Sequence, residues 1–348
     1  MNITKIVRKN ILNLKPYSSA RNEYTGNEGI LLDANENSFG SVTGGTYHRY
    51  PDPLQKTLKE QIAIKKGLSL DQIFLGNGSD EAIDLLIRAF CEPEKEEVLI
   101  FPPTYGMYKV CADINNVFVR QVPLKPDFTI SKNDTMAGLN PRVKIIFLCS
   151  PNNPTGNLID KNEIISLLSD KNRLIVVDEA YIDFSGEPGL LDLLSNHDNL
   201  VILQTFSKSW GLAGIRLGMA FGHPEIISVL NKIKYPYNIN LLTQEKALQV
   251  LSHPEKHKRA IAALLEQRDY LMETLKDLGI VKHIFPSQAN FILIRFTDAK
   301  AVFKYLKQNK IIVRDRSEAV HCENCLRITV GTPSENKQLI TILKRIEG

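Results

Sequence analysis

The chain predicts an α/β fold: a large domain with a mainly parallel seven-stranded sheet sandwiched by helices, plus a smaller α+β domain. Two observations carry this. Short apolar runs alternate with amphipathic stretches between about residues 70 and 230, and a second set of shorter strand and helix patterns follows a long helix near the C-terminus. A third agrees with them: Gly78, Asn153, Asp178 and Lys208 each stand just after an apolar run. Ligands gather at the carboxyl ends of strands in such folds.

In chain order, the strand candidates of the large domain are Ile73–Leu75, Val98–Phe101, Val117–Val122, Lys144–Cys149, Leu174–Asp178, Val201–Phe206 and Gly218–Phe221. From Asp80 to Phe90, the spacing of Ile83, Leu86, Ile87 and Phe90 places them on one helical face. Pro254 opens a long helix through Leu278, with Ile261, Leu264, Leu265, Leu271, Leu275 and Leu278 at helical spacing, and Gly279 stops it. The smaller domain then reads as strand Asn290–Arg295, helix Ala301–Gln308, strands Ile311–Arg314 and Leu326–Val330, and a closing helix from Ser334. The resulting division is an N-terminal segment, 1–40, expected to join the small domain, a large domain, 41–265, and a small domain, 266–348.

At 348 residues the chain is long enough for about two domains and a sizeable core. It is 43% hydrophobic and 24% charged, the balance of an ordinary soluble globular protein. A net charge of +4, from 43 basic and 39 acidic residues, argues against a general nucleic-acid binder and suits anionic small molecules. No apolar stretch reaches the length of a membrane span, and the first ten residues are too mixed in polarity for a secretory signal. Five cysteines, an odd number, suit reduced thiols in a cytoplasmic protein. The pair Cys322–x–x–Cys325 lacks further ligands and precedes a strand pattern, so no metal site is expected there.

The residues that carry chemistry form one set. Lys208 lies in Thr205–Phe206–Ser207–Lys208, and Arg216 follows between Gly214 and Gly218. Upstream, the apolar run Leu174–Val177 ends in Asp178, with Tyr181 just beyond. A lysine flanked by hydroxyls, an arginine and a carboxylate on a neighbouring strand together describe a pyridoxal-phosphate site. The lysine forms a Schiff base, the carboxylate pairs with the pyridinium nitrogen, and the hydroxyls and arginine hold the phosphate. Arg216 between small residues suggests a buried anion clamp.

Taken singly, each signal has an ordinary alternative. Gly76–Glu81, between a strand and a helix, could cradle a phosphate, and a helix N-cap by Ser79 or Asp80 explains it equally well. Ser150–Gly156 reads as a turn, but in such a site Asn153 and Tyr181 can both donate to the cofactor's phenolic oxygen. Arg314 and Arg327 are surface charges on half-exposed strands, or else a bidentate anion site facing a cleft.

Together these motifs resemble the fold-type I pyridoxal-phosphate-dependent aminotransferases, most closely the histidinol-phosphate aminotransferases. The matching segments are Pro16–Arg21, Asp33–Glu36, Arg49–Asp52, Gly76–Glu81, Pro102–Tyr108, Ser150–Gly156, Val177–Tyr181, Thr205–Lys208 and Cys325–Gly331, in order over nearly the whole chain. The resemblance implies pyridoxal phosphate as cofactor, with Lys208, Asp178 and Tyr181 as catalytic residues. Gly78, Ser79, Asp80, Thr205, Ser207 and Arg216 would bind its phosphate, Tyr105 would stack on its ring, and Asn153 would assist Tyr181. Tyr50 would reach the same phosphate from the partner subunit of a homodimer. Tyr17, Asn35, Arg314 and Arg327 would hold the substrate, one anion site serving glutamate and histidinol phosphate in turn. Trp210 and the glycine-rich stretch 39–48 depart from the family pattern and would shape the substrate entrance.

The implied reaction is amino transfer from L-histidinol phosphate to 2-oxoglutarate, in L-histidine biosynthesis. The rivals are a threonine-phosphate decarboxylase or an aromatic amino-acid aminotransferase of the same fold. A DNA-binding regulator would need a domain ahead of Asp33, for which there is little room. A hydrolase using Asp178 and Glu179 is disfavoured, because adjacent strand residues point to opposite faces.

Overall fold

Apolar runs long enough to be buried on both sides build the centre of the molecule. The computed structural model describes residues 3–17 and 29–347. Strands β1 (Ile73–Asn77), β2 (Glu97–Ile100), β3 (Phe118–Gln121), β4 (Val143–Cys149), β5 (Leu174–Asp178), β6 (Leu200–Thr205) and β7 (Leu217–Gly222) form one sheet in the order β1-β7-β6-β5-β4-β2-β3. All seven expected strands are present. Along β5 and β6 every residue is buried. Alternate side chains feed two separate cores: Ile175, Val177, Leu200 and Ile202 enter one, and Leu174, Val176, Val201 and Leu203 the other. That two-sided burial is why these strands read as continuous apolar runs rather than alternating ones.

Strands β2 to β6 pair in parallel, whereas β7 runs antiparallel to both β1 and β6. The reversal matters for the site. It brings the start of β7, with Arg216 just ahead of it, to the edge where β1, β4, β5 and β6 end.

The smaller sheet has the order β10-β11-β9-β8, from β8 (Val281–Ile284), β9 (Phe291–Phe296), β10 (Arg314–Asp315) and β11 (Cys325–Thr329), all antiparallel. Its one face buries Ile292, Ile294, Phe296, Leu326 and Ile328 against helices Pro254–Leu275, Ala299–Gln308 and Pro333–Glu347. From the other face, Leu293 and Cys325 pack into the large domain's core, and Phe291 packs on Tyr181.

Three expectations need correction. The strand expected over Ile311–Arg314 is only Arg314–Asp315, and β8 gave no clear signal because it is a half-exposed edge strand. The N-terminal segment, 1–40, was expected to join the small domain; its first turns do not, since Ile3, Val7 and Ile11 are buried beside Phe90, Ile226 and Leu230, and the Arg8 amide donates to the Ala89 carbonyl at 2.9 Å. The apolar face of this short helical stretch finds its partner on the large domain. Finally, the helix Pro254–Leu275 runs through the expected boundary at 265, with Leu264 and Leu265 packing near Tyr181 and Leu271 and Leu275 in the small-domain core. No described helix is long and apolar enough to cross a membrane.

Candidate active site

Four strand ends and one strand start converge on a cleft lined by Gly78, Ser79, Asp80, Tyr105, Cys149, Asn153, Asp178, Ala180, Tyr181, Thr205, Ser207, Lys208 and Arg216. The register explains the convergence. Cys149 pairs with Asp178 and Asp178 with Leu203, while Thr205 and Gly76 both pair with Gly218.

Asp178 closes the floor, 3% exposed. Its carboxylate accepts from the Tyr108 hydroxyl at 2.8 Å and from the Ala180 amide at 3.0 Å. Burial is the largest influence and pushes its pKa up to about 6, against the two donors and the more distant Lys208 amine. Tyr108 is fully buried and stacked on Phe147, ring centres 4.8 Å apart, so its hydroxyl is held in place. Sequence reasoning gave Tyr108 no role. It stands three residues after Tyr105, at the start of helix Met107–Ile114, but only the fold aims it at Asp178.

Lys208 is half-buried, its Nζ 5.3 Å from the centre of the Tyr181 ring. Burial, and then the positive charge of Arg327, lower its pKa. The Tyr181 hydroxyl lies 3.4 Å from Asn153 Nδ2, so both point to one spot, and burial raises the Tyr181 pKa. Asn153 Oδ1 in turn accepts a short hydrogen bond from Arg327 Nη1. That contact ties the floor of the cleft to the small sheet.

The opposite end is built from a turn and hydroxyls. Gly78 has φ +73°, a backbone that side chains rarely adopt, and its N–H donates to the Arg216 carbonyl at 2.8 Å. Helix Ser79–Phe90 starts immediately after it, its first two residues line the cleft, and its first amides have no partner within the helix. The Thr205 hydroxyl accepts from the Ser207 amide at 3.0 Å, and the Tyr105 hydroxyl donates to Asp80 at 3.0 Å. Arg216 is not the buried clamp expected. Its side chain is 51% exposed at the rim, 3.5 Å from both Asp80 Oδ2 and Ser207 Oγ, because the residue ahead of β7 projects toward the mouth.

Across Asn153, Arg314 and Arg327 are directly opposite one another on β10 and β11. They therefore share a face, although Arg314 is exposed and Arg327 half-buried over the Phe291 ring. The remaining expected residues lie apart in this single chain. Tyr17 is 73% exposed, Asn35 is exposed, and Tyr50, 51% exposed, stacks on Tyr237 at 4.5 Å. Within the motif Pro16–Arg21, residues 18–21 lie outside the described residues. Trp210 is not among the cleft-lining residues; it stacks on His257 at 3.6 Å. Glu179 leaves the opposite face from Asp178, accepts from Gln204 Nε2 at 2.9 Å and the Leu190 amide at 2.8 Å, and borders a separate, larger cavity lined by none of these amine or guanidinium groups. The two carboxylates share no site.

The profile of the family described as Aminotransferase class I and II matches residues 20–343. Among relatives, a protein of Cytophaga hutchinsonii named histidinol-phosphate aminotransferase is 52% identical over 342 residues, covering 98% of each chain. One of the same name from Parabacteroides distasonis is 49% identical, again over 98% of each chain. Among solved structures, the histidinol-phosphate aminotransferase from Clostridium acetobutylicum superposes with a TM-score of 0.80 at 27% identity, covering 86% of this chain and 91% of that one.

Proposed function

The chain belongs to the class I and II aminotransferases, and from that premise we propose that it moves an amino group from L-histidinol phosphate to 2-oxoglutarate, giving imidazole-acetol phosphate and L-glutamate in L-histidine biosynthesis. One observation carries the reading. A single cleft holds a half-buried amine, a buried carboxylate and, joined to them through Asn153, an arginine paired with a second arginine.

The donor set fits pyridoxal phosphate. Asp178 is a buried carboxylate that needs a cationic partner to ionise comfortably, and a protonated ring nitrogen supplies one. At the far end, the amides that open helix Ser79–Phe90, the hydroxyls of Ser79, Thr205 and Ser207, and the Arg216 guanidinium form a set of donors suited to a phosphate. When bound, the cofactor supplies the electron sink that lets a proton leave the substrate's α-carbon.

The chain's own residues do the rest. Lys208 Nζ would be the covalent attachment point, and burial, which lowers its pKa, favours the uncharged amine that would take and return the α-proton. Tyr108 and the Ala180 amide hold Asp178 in one orientation, from which it would keep the ring nitrogen protonated. Asn153 and Tyr181, whose polar ends meet, would donate to the ring's phenolic oxygen, and Tyr105, which lines the cleft, would cover the ring. Arg327 and Arg314 take the anionic group of each substrate in turn, because a guanidinium fork suits carboxylate and phosphate alike. Tyr17 and Asn35 would assist at that end, as the resemblance to the family implies.

The working unit is a homodimer in the cytoplasm, with Tyr50 reaching the partner's phosphate end. Residues 30–54 present Ile30, Leu32, Phe39, Val42, Tyr47, Tyr50 and Leu54 to solvent at half exposure or more, with Phe39 and Val42 essentially bare. An apolar stretch of that length is the mark of a subunit interface. All five cysteines are free and buried, as suits a reducing compartment.

Incubation of the holoenzyme with histidinol phosphate and 2-oxoglutarate tests the reading: glutamate should accumulate in step with imidazole-acetol phosphate. No turnover there, alongside carbon dioxide release from threonine phosphate, would assign the site to the decarboxylase instead.

A further inference from the structure

A third guanidinium stands on the sheet face that carries Arg314 and Arg327. β10 ends at Asp315, but its ladder extends one residue further, the Arg316 amide donating to the Cys325 carbonyl at 2.9 Å. Side chains alternate along a strand, so Arg316 shares the face of Arg314, as Cys325 shares that of Arg327. Like charges directly opposite each other are unfavourable, and Arg314 opposite Arg327 is already such a pair. Arg316 adds to it.

The acid adjacent in sequence does not relieve this crowding. Asp315 alternates to the other face, and its Oδ1 is taken by the Ser317 amide at 2.9 Å and the Ser317 hydroxyl at 2.6 Å. Arg316 is half-buried, and among the described residues its buried Nε has no hydrogen-bond partner. Burial, then Arg327 and Arg314, lower its pKa. Both Arg316 and Arg327 lie within the field of Tyr181, which lines the cleft.

We propose that Arg316 completes a three-arginine clamp for the phosphate of the phosphorylated amino donor and sets this site's preference for that group over the carboxylate of glutamate. The inference rests on the substrate reading above. Its chemistry is a count of partners: a carboxylate has two oxygens and one charge, which one or two forks satisfy. A phosphate monoester offers three oxygens and up to two charges, enough for a third fork.

The test uses the holoenzymes of wild type, Arg316→Gln and Arg316→Lys. Each half-reaction is followed by cofactor absorbance, and inorganic phosphate is titrated as an inhibitor of the glutamate half-reaction. Arg316→Gln should lower kcat/KM for histidinol phosphate at least tenfold, about 1.4 kcal/mol, mainly through KM. Glutamate should change less than about threefold, and inhibition by phosphate should weaken in parallel with the donor. Arg316→Lys, which keeps the charge without the fork, should fall between the two and covers the case of a glutamine variant that does not fold. Equal losses with both donors, or no loss with either, would overturn the clamp. Phosphate inhibition reads Arg316 whatever the donor is, so a wild type inert toward histidinol phosphate would fail the substrate reading separately.

Discussion

Asp178 is the residue on which the proposed chemistry turns, and its burial has a measurable consequence. Its carboxyl is pushed up to about 6 in the cofactor-free protein, above the ordinary carboxylate value, so the folded state holds the proton more tightly than the unfolded one. The stability this provides is full below the unfolded pKa and is lost as pH rises through about 6. Two pKa units correspond to about 3 kcal/mol. Cofactor-free Asp178→Asn should therefore resist urea better than wild type at pH 8 by up to about 3 kcal/mol, with the gain vanishing below pH 4 and cofactor affinity lost. A gain independent of pH would mean that Asp178 is not the titrating group. Arg327→Ala should raise KM for glutamate and histidinol phosphate together, each by about tenfold or more; a loss confined to one substrate would break the idea of a shared anion site.

That Lys208, Asp178, Asn153 and Tyr181 line one cleft was legible because each follows an apolar run, and strand ends are where such a fold gathers ligands. Tyr108 and Arg316 were not. A tyrosine early in a helix and an arginine after a two-residue strand have no local signature: packing aims Tyr108 at Asp178, and register puts Arg316 on the face of Arg314.

Among the elements, the antiparallel β7 decides the geometry of the phosphate end. Its direction could not be read from Gly218–Phe221, since an apolar run looks the same either way. Its glycine could be seen but not its reason: a Cβ on Gly218 would lie 2.1 Å from the Gly78 carbonyl carbon and from the Ser79 nitrogen. Both are backbone atoms, so the turn itself would have to move. Gly218→Ala should cost about 1–3 kcal/mol in thermal or urea unfolding and weaken cofactor binding at least tenfold in a fluorescence titration. Gly214→Ala, with nothing within 4 Å of its Cβ, serves as the near-neutral control. Equal behaviour of the two variants would contradict this account of the turn. The edge strand β8 escaped sequence reading, and β10 was placed too early and too long, for a different cause: neither has enough buried residues to impose a period on the sequence.

At the scale of the molecule, the two sheets were legible as separate blocks, but the docking of the N-terminal stretch was not, because Ile3, Val7 and Ile11 fit any apolar surface. The dimer proposal yields a test that a single chain cannot pass. If Tyr50 serves the partner's site, Lys208→Ala and Tyr50→Ala subunits, each nearly inactive alone, should recover activity when unfolded together and refolded as mixed dimers. One intact site forms in each hybrid. No recovery would place Tyr50 in its own subunit's site. The attachment of the cofactor remains the centre of the account, and borohydride reduction of the holoenzyme followed by peptide mass mapping reads it directly. The reduced adduct should sit on Lys208 and disappear in Lys208→Ala while that variant still binds the cofactor non-covalently; an adduct on any other lysine would contradict the account.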